Sequence, residues 1–594
     1  MSLESLLDQL EQNRLIHQMP EMDASPLGGA YEFEHALAQD SAYQSLLRAR
    51  RRAIHRRVAE CFERLYPDRQ DEYAGLLARH YAEAGDDLRA LSYAERAGDA
   101  ALRTYALAEA ATLYGQGLEL AARVGDVDSL GRLSIHQGRA QELLGRHDLA
   151  LRIYEQMQEA GRQAGNRQVE LEALLRQTLL RSTANALFDP AQAEQLAARS
   201  VALAREVGDD IAEVRILWSQ VNLYRFTHRN QQALPLGEKA LAIIRRRLEV
   251  GAPDREVQEL YAFLLNDMCH VYTWTGHPHL AGPALRESGA LWRRLDNRAM
   301  LTDHLATAGL YLSLFGDVEA ARTAAAEGVR IADAIHNPWG QSYSRSAASI
   351  LHWHAGEMSR ALATMVESVR FGQEGGYLVA QALMRAYLAL LHMDVGAAPQ
   401  GLDVARAGLA AAEQHLPALV PALRAVMGYL LLANDDRDGA RAAVEGLEAD
   451  ESDNPFVLDL VWGGRAAVLL ALGRVEEALA VGGRHVAYLE QHGFRLLLPM
   501  ASHAYGRALL AAGQAETARI VLAEALRQAE ALEVRREGWR LLATMAEMEE
   551  AAGNHTEAEA LRRRCREEVA FIAGQIEEPH LREAFLALPE IPDH

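Results

Sequence analysis

The acidic residues between Asn434 and Glu445 have the spacing that comes closest to a known ligand-binding motif in this sequence. Asn434, Asp436 and Asp438 alternate with other residues, a Gly follows at the sixth position, and Glu445 is the twelfth. A calcium loop takes oxygen ligands from positions 1, 3, 5 and 12 of such a stretch. However, Asn at position 1 lowers the negative charge, and Arg441 occupies a position that is normally apolar. Because a helix-ending turn is expected at the same place, we interpret the stretch as a polar turn.

Two pairs of histidines are the other residues that could bind a metal. His277 and His279, and likewise His352 and His354, are two residues apart, whereas a zinc site on a helix prefers a spacing of three or four. The sequence contains no H-E-x-x-H, C-x-x-C, G-x-S-x-G or G-x-G-x-x-G motif. We therefore predict no metal site, no cofactor and no catalytic centre, and we do not expect an enzyme.

The elements that would position binding residues recur along the chain. A helix-ending Gly or Asn is followed by four mostly polar residues and then by a small residue, in steps of 38 to 40 residues. The expected turns are at Gly276, Gly316, Gly356, Gly396, Asn434, Gly473, Gly513 and Gly553. Gly and Asn end helices because they tolerate the left-handed conformation. A fixed period of this size is typical of a solenoid.

A second small residue follows seven positions after the first in every unit except one. The series is Ser288, Gly328, Ser368, Gly408, Gly446, Ala525 and Cys565, with His485 as the exception. Both small positions lie on one helix face, because seven residues make about two turns. The pattern resembles the tetratricopeptide repeat, whose usual period is about 34 residues. We predict an all-α, tetratricopeptide-like α-solenoid of about 12 helix pairs with a ~40-residue period, wound into a right-handed superhelix.

In tetratricopeptide arrays the first helix of each pair lines the concave side, so the resemblance implies that a ligand or partner binds there. We therefore count back fixed distances from the turns at His228, Gly276 and Gly356. This count selects ten groove candidates: Arg215, Trp218, Asn222, Arg225, Asn266, His270, Trp274, Tyr343, Trp353 and His354. Aromatic side chains supply contact area, and Arg, Asn and His supply oriented hydrogen bonds. The alternative is that the Trp residues pack in the core between repeats.

Composition limits the class of protein. The chain has 594 residues, of which 49% are hydrophobic and 6% aromatic, which suits many thin helix–helix contacts better than one thick core. Its net charge of −21 repels nucleic acid on average. There is no uncharged apolar run of ~18 residues and no signal peptide, and the three Cys are far apart. We therefore expect a cytoplasmic protein without a membrane span, disulfides or a nucleic-acid partner.

The N-terminal 70 residues differ from the repeats. Leucines at helical spacing open the segment, and a strand is expected at Arg14–Met19. A loop with Pro and Gly leads to Tyr31–His35, where apolar and polar residues alternate as in a return strand. From Ala36 to Leu65 the pattern is helical, with a break and a new cap expected at Asp40 or Ser41. A helix, a strand, a loop and a return strand together predict a wing.

The phrase YEFEHALAQDSAYQSLLRARRRAIHRRVAECFERL, followed by LLARHYAEAGDDLRALSYAERAGDAA, resembles the signalling ATPases of the STAND class. These are MalT-like regulators and bacterial ATPase–cyclase proteins, in which a P-loop ATPase precedes a winged helix and a tetratricopeptide-like sensor array. The resemblance covers roughly residues 1–125 in sequence and the remainder in architecture, and the closing LREAFLALPE is similar to the tail of such arrays. The chain has neither a G-x-x-x-x-G-K-[ST] motif nor a cyclase segment. The resemblance therefore implies a winged-helix remnant with a sensor array, either as a fragment of a longer protein or as a stand-alone product.

Six arginines are concentrated between Arg48 and Arg57. They could form a contact surface for a nucleotide-binding domain, a nucleic acid or phosphate. They could equally form a solvated helix face that is partly paired with Glu60, Glu63 and Asp71. We favour the solvated face or an interdomain contact over DNA binding.

These patterns divide the chain into a winged-helix-like segment at residues 1–70, N-terminal helical repeats at 71–245, an inserted loop at 246–257 and regular repeats at 258–594. We expect a non-enzymatic sensor or protein-interaction region of a signalling ATPase or transcriptional regulator. It would bind a protein partner, the attached ATPase domain or a small effector in its concave groove. The alternatives are a stand-alone protein–protein scaffold and a DNA-binding regulator that uses the winged helix.

Overall fold

The computed structural model describes residues 2–19, 30–250, 254–448, 451 and 454–591, and most of these residues are helical. The first helices of the described part are α1 (Leu3–Gln12), α2 (Ala36–Ser45), α3 (Arg48–Leu65), α4 (Ala74–Ala84), α5 (Asp87–Arg103), α6 (Leu107–Val124), α7 (Val127–Leu143), α8 (His147–Ala164), α9 (Arg167–Ser182), α10 (Pro190–Val207), α11 (Asp210–Phe226), α12 (Asn230–Glu249), α13 (Arg255–Trp274) and α14 (Pro278–Leu295). The later helices are α15 (Arg298–Leu314), α16 (Val318–Ala334), α17 (Pro338–His354), α18 (Met358–Glu374), α19 (Arg385–Asp394), α20 (Ala398–His415), α21 (Val420–Ala433), α22 (Arg437–Val444), α23 (Pro455–Ala471), α24 (Val475–His492), α25 (Leu498–Ala511), α26 (Ala515–Ala531), α27 (Arg535–Ala551), α28 (His555–Gly574) and α29 (Pro579–Leu586). None of these helices is long and apolar enough to cross a bilayer. The order of paired helices confirms the predicted all-α, tetratricopeptide-like solenoid.

The chain forms two compact units. The first unit contains residues 1–141 and 156–170, and the second contains residues 142–155 and 171–594. Short 3₁₀ turns occur at Pro67–Arg69 in the first unit and at Pro417–Leu419 in the second. A single π-helical turn, Ala380–Met384, leads into α19 of the second unit.

Two short strands open the first unit. β1 (Ile16–Met19) and β2 (Ala30–Phe33) pair antiparallel, with Ile16 opposite Phe33. The predicted break at Asp40 or Ser41 is wrong, because both residues lie inside α2. The helix ends instead at Ser45, whose hydroxyl donates back to the carbonyl of Ala42 at 2.7 Å. Leu46 and Leu47, with ψ of 136° and 143°, then separate α2 from α3.

The basic run on α3 is not paired in the way that the sequence suggested. Within the described residues, none of its six arginines forms an ion pair with a carboxylate. Glu63 instead lies 3.9 Å from Arg89, and Asp71 lies 2.6 Å from Arg96. Both acceptors are taken by arginines of α5, so the positive charge on α3 remains uncompensated by these two side chains.

The turns that join the two helices of each pair have the predicted conformation. In the second unit, left-handed backbone occurs at Gly276, Gly316, Gly356, Gly396, Gly473, Gly513 and Gly553. Asn434 is the exception, because its φ is −106° and the left-handed residue is Asp435, with a φ of 61°. Asp436 then caps α22 by accepting a hydrogen bond from the Gly439 N–H at 2.8 Å. The stretch with calcium-like spacing is therefore the turn between α21 and α22.

A second set of turns joins one pair to the next, and glycine occupies only some of them, such as Gly376 and Gly493. Left-handed residues occur at Asp296 and His336, each 20 residues after the Gly of the preceding turn. Asp and His adopt this conformation less readily than Gly, although more often than most residues. The 40-residue period is thus two helices of 17 or 18 residues, each of which ends in a turn.

Small residues allow the second helix of each pair to pack closely against the first. The Ala five residues after the turn has no exposed surface in six repeats: Ala281, Ala321, Ala361, Ala478, Ala518 and Ala558. At the second small position, Ser288 donates to the carbonyl of Ala262, 26 residues earlier, at 3.0 Å. His485, the exception in the series, lies instead 3.4 Å from the Asp459 carboxylate, also 26 residues earlier. As at Ser288, the Ser368 hydroxyl donates to the carbonyl of Ser342, and the Cys565 thiol donates to the carbonyl of Trp539.

Both described ends of the inserted loop expected at residues 246–257 are helical. α12 continues to Glu249 and α13 begins at Arg255, while residues 251–253 lie outside the described part. The helical pattern continues because Ile244 is fully buried and Asp254 caps α13, accepting from the Val257 N–H at 2.8 Å. The additional residues therefore lengthen two helices to 20 residues each.

Within the second unit, later repeats pack against earlier ones. Asp394, at the end of α19, is 1% exposed and lies 2.5 Å from Arg536 and 3.0 Å from Arg540 of α27. Trp353 of α17 donates its indole N–H to the same carboxylate at 2.8 Å, and Arg536 lies 3.8 Å from the centre of the Trp353 ring. Although burial raises the pKa of Asp394, the two guanidiniums bring this pKa below its ordinary value.

Three backbone N–H groups also donate hydrogen bonds between distant repeats of the second unit. The N–H of Leu496 donates to the carbonyl of Leu314, and the N–H of Ser359 donates to the carbonyl of Gln575. The N–H of Glu577 donates to the Ser359 hydroxyl at 2.9 Å. The end of α15 and the start of α18 are therefore bonded to segments that follow α24 and α28, through contacts between residues far apart in sequence, which no periodicity encodes. Trp353 and His354, which the repeat pattern placed in an open groove, are buried.

We predict that Asp394→Ala destabilises the second unit strongly. The substitution leaves two buried guanidiniums without their carboxylate, and breaking a buried ion pair in this way costs about 3–5 kcal/mol. Asp403→Ala is the matched control, because Asp403 lies on the surface and pairs only with Arg406. Urea unfolding followed by circular dichroism should show a much lower midpoint for Asp394→Ala alone, and equal midpoints for the two variants would contradict this account.

Candidate ligand-binding site

The second unit contains a cavity of about 110 Å³, called the central cavity below. Its walls come from the ends of α11, α13 and α15, from α17, and from the π-helical turn before α19. Seven aromatic side chains contribute to the walls: Phe226, Trp274, Tyr311, Tyr343, Tyr377, Tyr387 and Phe456. Polar contributions come from Arg225, His228, His270, Thr273 and Asn454. The cavity thus combines an aromatic lining with a few polar groups, which is the usual character of a small-molecule site.

Helical spacing determines which side chains form the polar wall of the central cavity. His270 and Trp274 are four residues apart on α13 and therefore lie on one face, with their ring centres 5.2 Å apart. Arg225 is in the last turn of α11 and Tyr343 is on α17. These four side chains, which come from the first helices of three pairs, are all partly exposed.

A buried carboxylate holds Arg225 in place. Asp267 forms an ion pair with Arg225 and also accepts hydrogen bonds from the Trp218 indole at 2.7 Å and from the Asn222 amide at 3.2 Å. Burial lowers the pKa of Arg225, but Asp267 outweighs this effect and raises the pKa above its ordinary value. Three donors on α11 therefore converge on one acceptor of α13 and fix the guanidinium at the cavity wall.

Arg225 retains donor capacity. Its Nε is buried and has no hydrogen-bond partner among the described residues. Its guanidinium carbon lies 4.8 Å from the centre of the Phe226 ring. A buried donor without an acceptor costs about 1–3 kcal/mol, so an oxygen atom of a bound molecule would be favourable at this position.

A second carboxylate lies behind the wall. Asp303 of α15 accepts hydrogen bonds from the Asn266 amide at 3.0 Å and from the Trp339 indole at 3.3 Å. Burial raises the pKa of Asp303 to about 6, and the negative charge of Asp267 adds to this shift. Asp303 therefore changes its charge close to neutral pH, while Arg225 stays charged.

A chain of hydroxyl and imidazole groups completes the polar wall. The Thr307 hydroxyl lies 3.3 Å from His270 Nε2 and 3.3 Å from the Tyr343 hydroxyl. Burial lowers the pKa of His270 well below its ordinary value, and the charge of Arg225 acts in the same direction. The imidazole is therefore neutral at pH 7 and can donate through one ring nitrogen and accept through the other.

The ten predicted groove residues fall into four sets. Arg225, His270, Trp274 and Tyr343 line the central cavity, whereas Trp218, Asn222 and Asn266 bond to the carboxylates behind it. Arg215 lies elsewhere and pairs with Glu172 at 2.6 Å and with Glu256. Trp353 and His354 are buried in the contact with the later repeats, where burial and Arg536 lower the pKa of His354 to about 3.

Sequence reasoning missed the two carboxylates and Thr307. Asp267 and Asp303 stand in otherwise apolar stretches of α13 and α15, and an acidic residue at a core position is the signal that could have identified them. The described residues contain no group of three or more His, Cys, Asp or Glu side chains that could hold a metal ion. The side chains of the site can form hydrogen bonds and aromatic contacts.

Comparisons with known proteins identify no family. No protein-family model matches the sequence, and no curated protein matches it. Among solved structures, the chain is similar to a Rap protein complexed with competence and sporulation factor, to the APC/C hetero-tetramer Cut9–Hcn1 and to yeast Tom70, each at 13% identity. The alignments cover 61%, 82% and 87% of this chain and 99%, 94% and 100% of those chains, with TM-scores of 0.46, 0.42 and 0.33. At these scores the similarity carries no functional argument, and the fold assignment rests on the helices and turns themselves.

We predict that Asp303 lowers the stability of the second unit as pH rises. An unfolded Asp titrates near ~3.9, so a folded pKa of about 6 means that the folded state binds the proton more tightly. The free energy of unfolding should therefore fall between about pH 4 and pH 6, by at most about 3 kcal/mol from this residue. Asp303→Asn should remove this pH dependence. The free energy of unfolding of the variant minus that of the wild type should therefore be larger at pH 7 than at pH 4.5.

Urea unfolding of both proteins at the two pH values measures this difference. The free-energy cost of placing an Asn amide against the two donors, Asn266 and Trp339, does not vary with pH. It therefore cancels when the results at the two pH values are compared. Asp333→Asn is the control: burial raises the pKa of Asp333 but Arg345 brings it below its ordinary value, so no gain at pH 7 is expected. A pH-independent difference between Asp303→Asn and the wild type would show that Asp303 titrates normally.

Proposed function

We propose that the repeat array is a non-catalytic sensor that binds a small effector in the central cavity. The observation that carries the proposal is the Arg225 guanidinium, which is fixed by Asp267 yet keeps a buried Nε without a partner at an aromatic wall. Buried donors are seldom left unpaired in native proteins, and a ligand oxygen would satisfy this one if the side chain turned toward the cavity.

The size of the central cavity limits the effector. An engineered cavity of roughly 150 Å³ binds benzene. The volume of about 110 Å³ is somewhat smaller, so it fits a molecule no larger than one ring with a hydroxyl-sized substituent, and the seven aromatic side chains favour a flat one. A nucleotide, an oligosaccharide or a peptide would have to open the later repeats first.

The polar wall limits the chemistry of the effector. Arg225 is already paired with one carboxylate, so the site has no large positive excess, and Asp303 adds negative charge above about pH 6. His270 and Tyr343 offer further hydrogen bonds without charge. These groups favour an uncharged one-ring molecule with a small oxygen acceptor, such as a phenol, directed at Arg225.

Binding in this cavity would couple to the arrangement of the repeats. The wall joins α11, α13 and α17 to Asn454 and Phe456 at the start of α23, so a ligand contacts early and late repeats of the unit together. A ligand shifts a conformational equilibrium only by its difference in affinity for the two states. A molecule that bridges these elements would favour the closed arrangement over an open one.

The signalling context rests on the resemblance of the N-terminal segment to STAND-class ATPases. In that context, closure of the array would restrain or release an attached ATPase domain or the partner of a transcriptional regulator. A stand-alone protein scaffold is the second candidate, favoured by the exposed apolar residues of α1 and α3. DNA binding through the winged-helix-like segment remains an alternative, and salt-dependent retention on DNA tests it.

We predict that phenol raises the thermal unfolding midpoint in proportion to RT ln(1 + [L]/Kd), whereas ATP, maltose and a peptide mixture do not. Trp274→Ala and Tyr343→Phe should each reduce the shift, because they remove an aromatic face and a hydroxyl from the cavity wall. Arg370→Ala is the control, since Arg370 pairs with Glu374 on the surface and does not line the cavity.

Differential scanning fluorimetry and calorimetric titration would measure these effects. Equal shifts for Trp274→Ala, Arg370→Ala and the wild type would place any binding outside the central cavity. Shifts from ATP or maltose but not from phenol would contradict the proposed ligand class.

A further inference from the structure

Helix α1 of the first unit has an apolar side that nothing covers among the described residues. Leu3, Leu6 and Leu10 lie along one face at helical spacing, and no residue of α1 is buried. Leu3 is 73% exposed. Glu4 and Asp8 follow one edge of this apolar face, four residues apart, so the helix presents an apolar line beside an acidic line.

Helix α3 presents the opposite charge beside an apolar line. Leu47, at its N-cap, is 80% exposed, and Ile54, seven residues later, is 42% exposed. Arg50, Arg57 and Arg64 form a parallel line with the same spacing of seven residues and are exposed. Seven residues are close to two helical turns, so each line stays on one face. None of these arginines pairs with a carboxylate among the described residues.

The apolar residues of the two helices have the same spacing, and the charges beside them are opposite. Leu3 and Leu10 are seven residues apart, as are Leu47 and Ile54, which corresponds to about 10.5 Å along a helix. The α1 helix of 10 residues therefore fits along somewhat more than half of the 18-residue α3 helix. In this arrangement the acidic line of one helix meets the basic line of the other.

We propose that α1 of one copy of this chain docks on α3 of a second copy, and reciprocally, to form a two-fold dimer. In its own chain α1 is held against β1, where the Gln18 N–H donates to Glu11 Oε1 at 3.1 Å, and its leucines remain exposed. Each copy carries both halves of the contact, so two copies satisfy each other and the assembly closes at two. The proposal does not depend on the central cavity.

Charge exchange on the full-length chain tests this proposal. One variant carries Glu4→Arg and Asp8→Arg, and the other carries Arg50→Glu and Arg57→Glu. Glu11 is left unchanged because it contacts the strand. Sedimentation equilibrium should find the wild type dimeric, with the dimer weakened by high salt, and each variant monomeric. An equimolar mixture of the two variants should again give a dimer, because each α1 then faces an α3 of opposite charge.

The other outcomes overturn the proposal. A wild type that stays monomeric at all concentrations would mean that α1 does not dock on a second copy. Variants that remain dimeric would place the dimer contact elsewhere. If the variants are monomeric and their mixture does not associate, the substitutions act without pairing α1 with α3. Circular dichroism of each variant checks that its helices are intact, and the combined four-residue variant, which restores complementarity within one sequence, should dimerise like the wild type.

Discussion

The second unit depends on one buried carboxylate, Asp394, which joins repeats that are far apart in the sequence. Its partners Arg536 and Arg540 follow it by 142 and 146 residues, and Trp353 donates to it from a third helix. Charges so deeply buried are tolerated only when they are paired and hydrogen-bonded. This contact places α27 against α17, whose Tyr343 and Ile350 line the central cavity, so it borders the space in which we propose that an effector binds.

The sequence predicts the repeating part of the structure because that part is local. Glycines at a fixed spacing mark one turn of each pair, and buried alanines five residues later mark the close approach of its two helices. The other turns, at Asp296 and His336, escape the pattern because residues other than glycine adopt the left-handed conformation there. At Asn434 the prediction was one residue early, since the neighbouring Asp435 takes that role. The repeat period therefore tolerates a change in which residue of the turn adopts the left-handed conformation.

The candidate site is predictable only in part, because it depends on contacts between distant repeats. Arg225, His270, Trp274 and Tyr343 follow from helix spacing, and all four line the cavity. Trp353 has the same spacing but is buried, because Arg536 covers its ring from a helix whose approach no periodicity encodes. The sequence pattern did not predict the carboxylates that orient the polar wall, because Asp267 stands at none of the positions counted before Gly276, and no positions were counted before Gly316, the turn that follows Asp303. Their ligand-binding role remains a proposal.

Amide hydrogen exchange at three positions tests the closed arrangement most directly. The N–H groups of Ser359, Leu496 and Glu577 lie outside the hydrogen bonds of any helix and donate only to partners in distant repeats. If the later repeats cover the earlier ones, these three amides exchange as slowly as those in the neighbouring helices. Fast exchange at the three positions, beside slow exchange within α18 and α28, would show that the array is open and that the central cavity does not exist in solution.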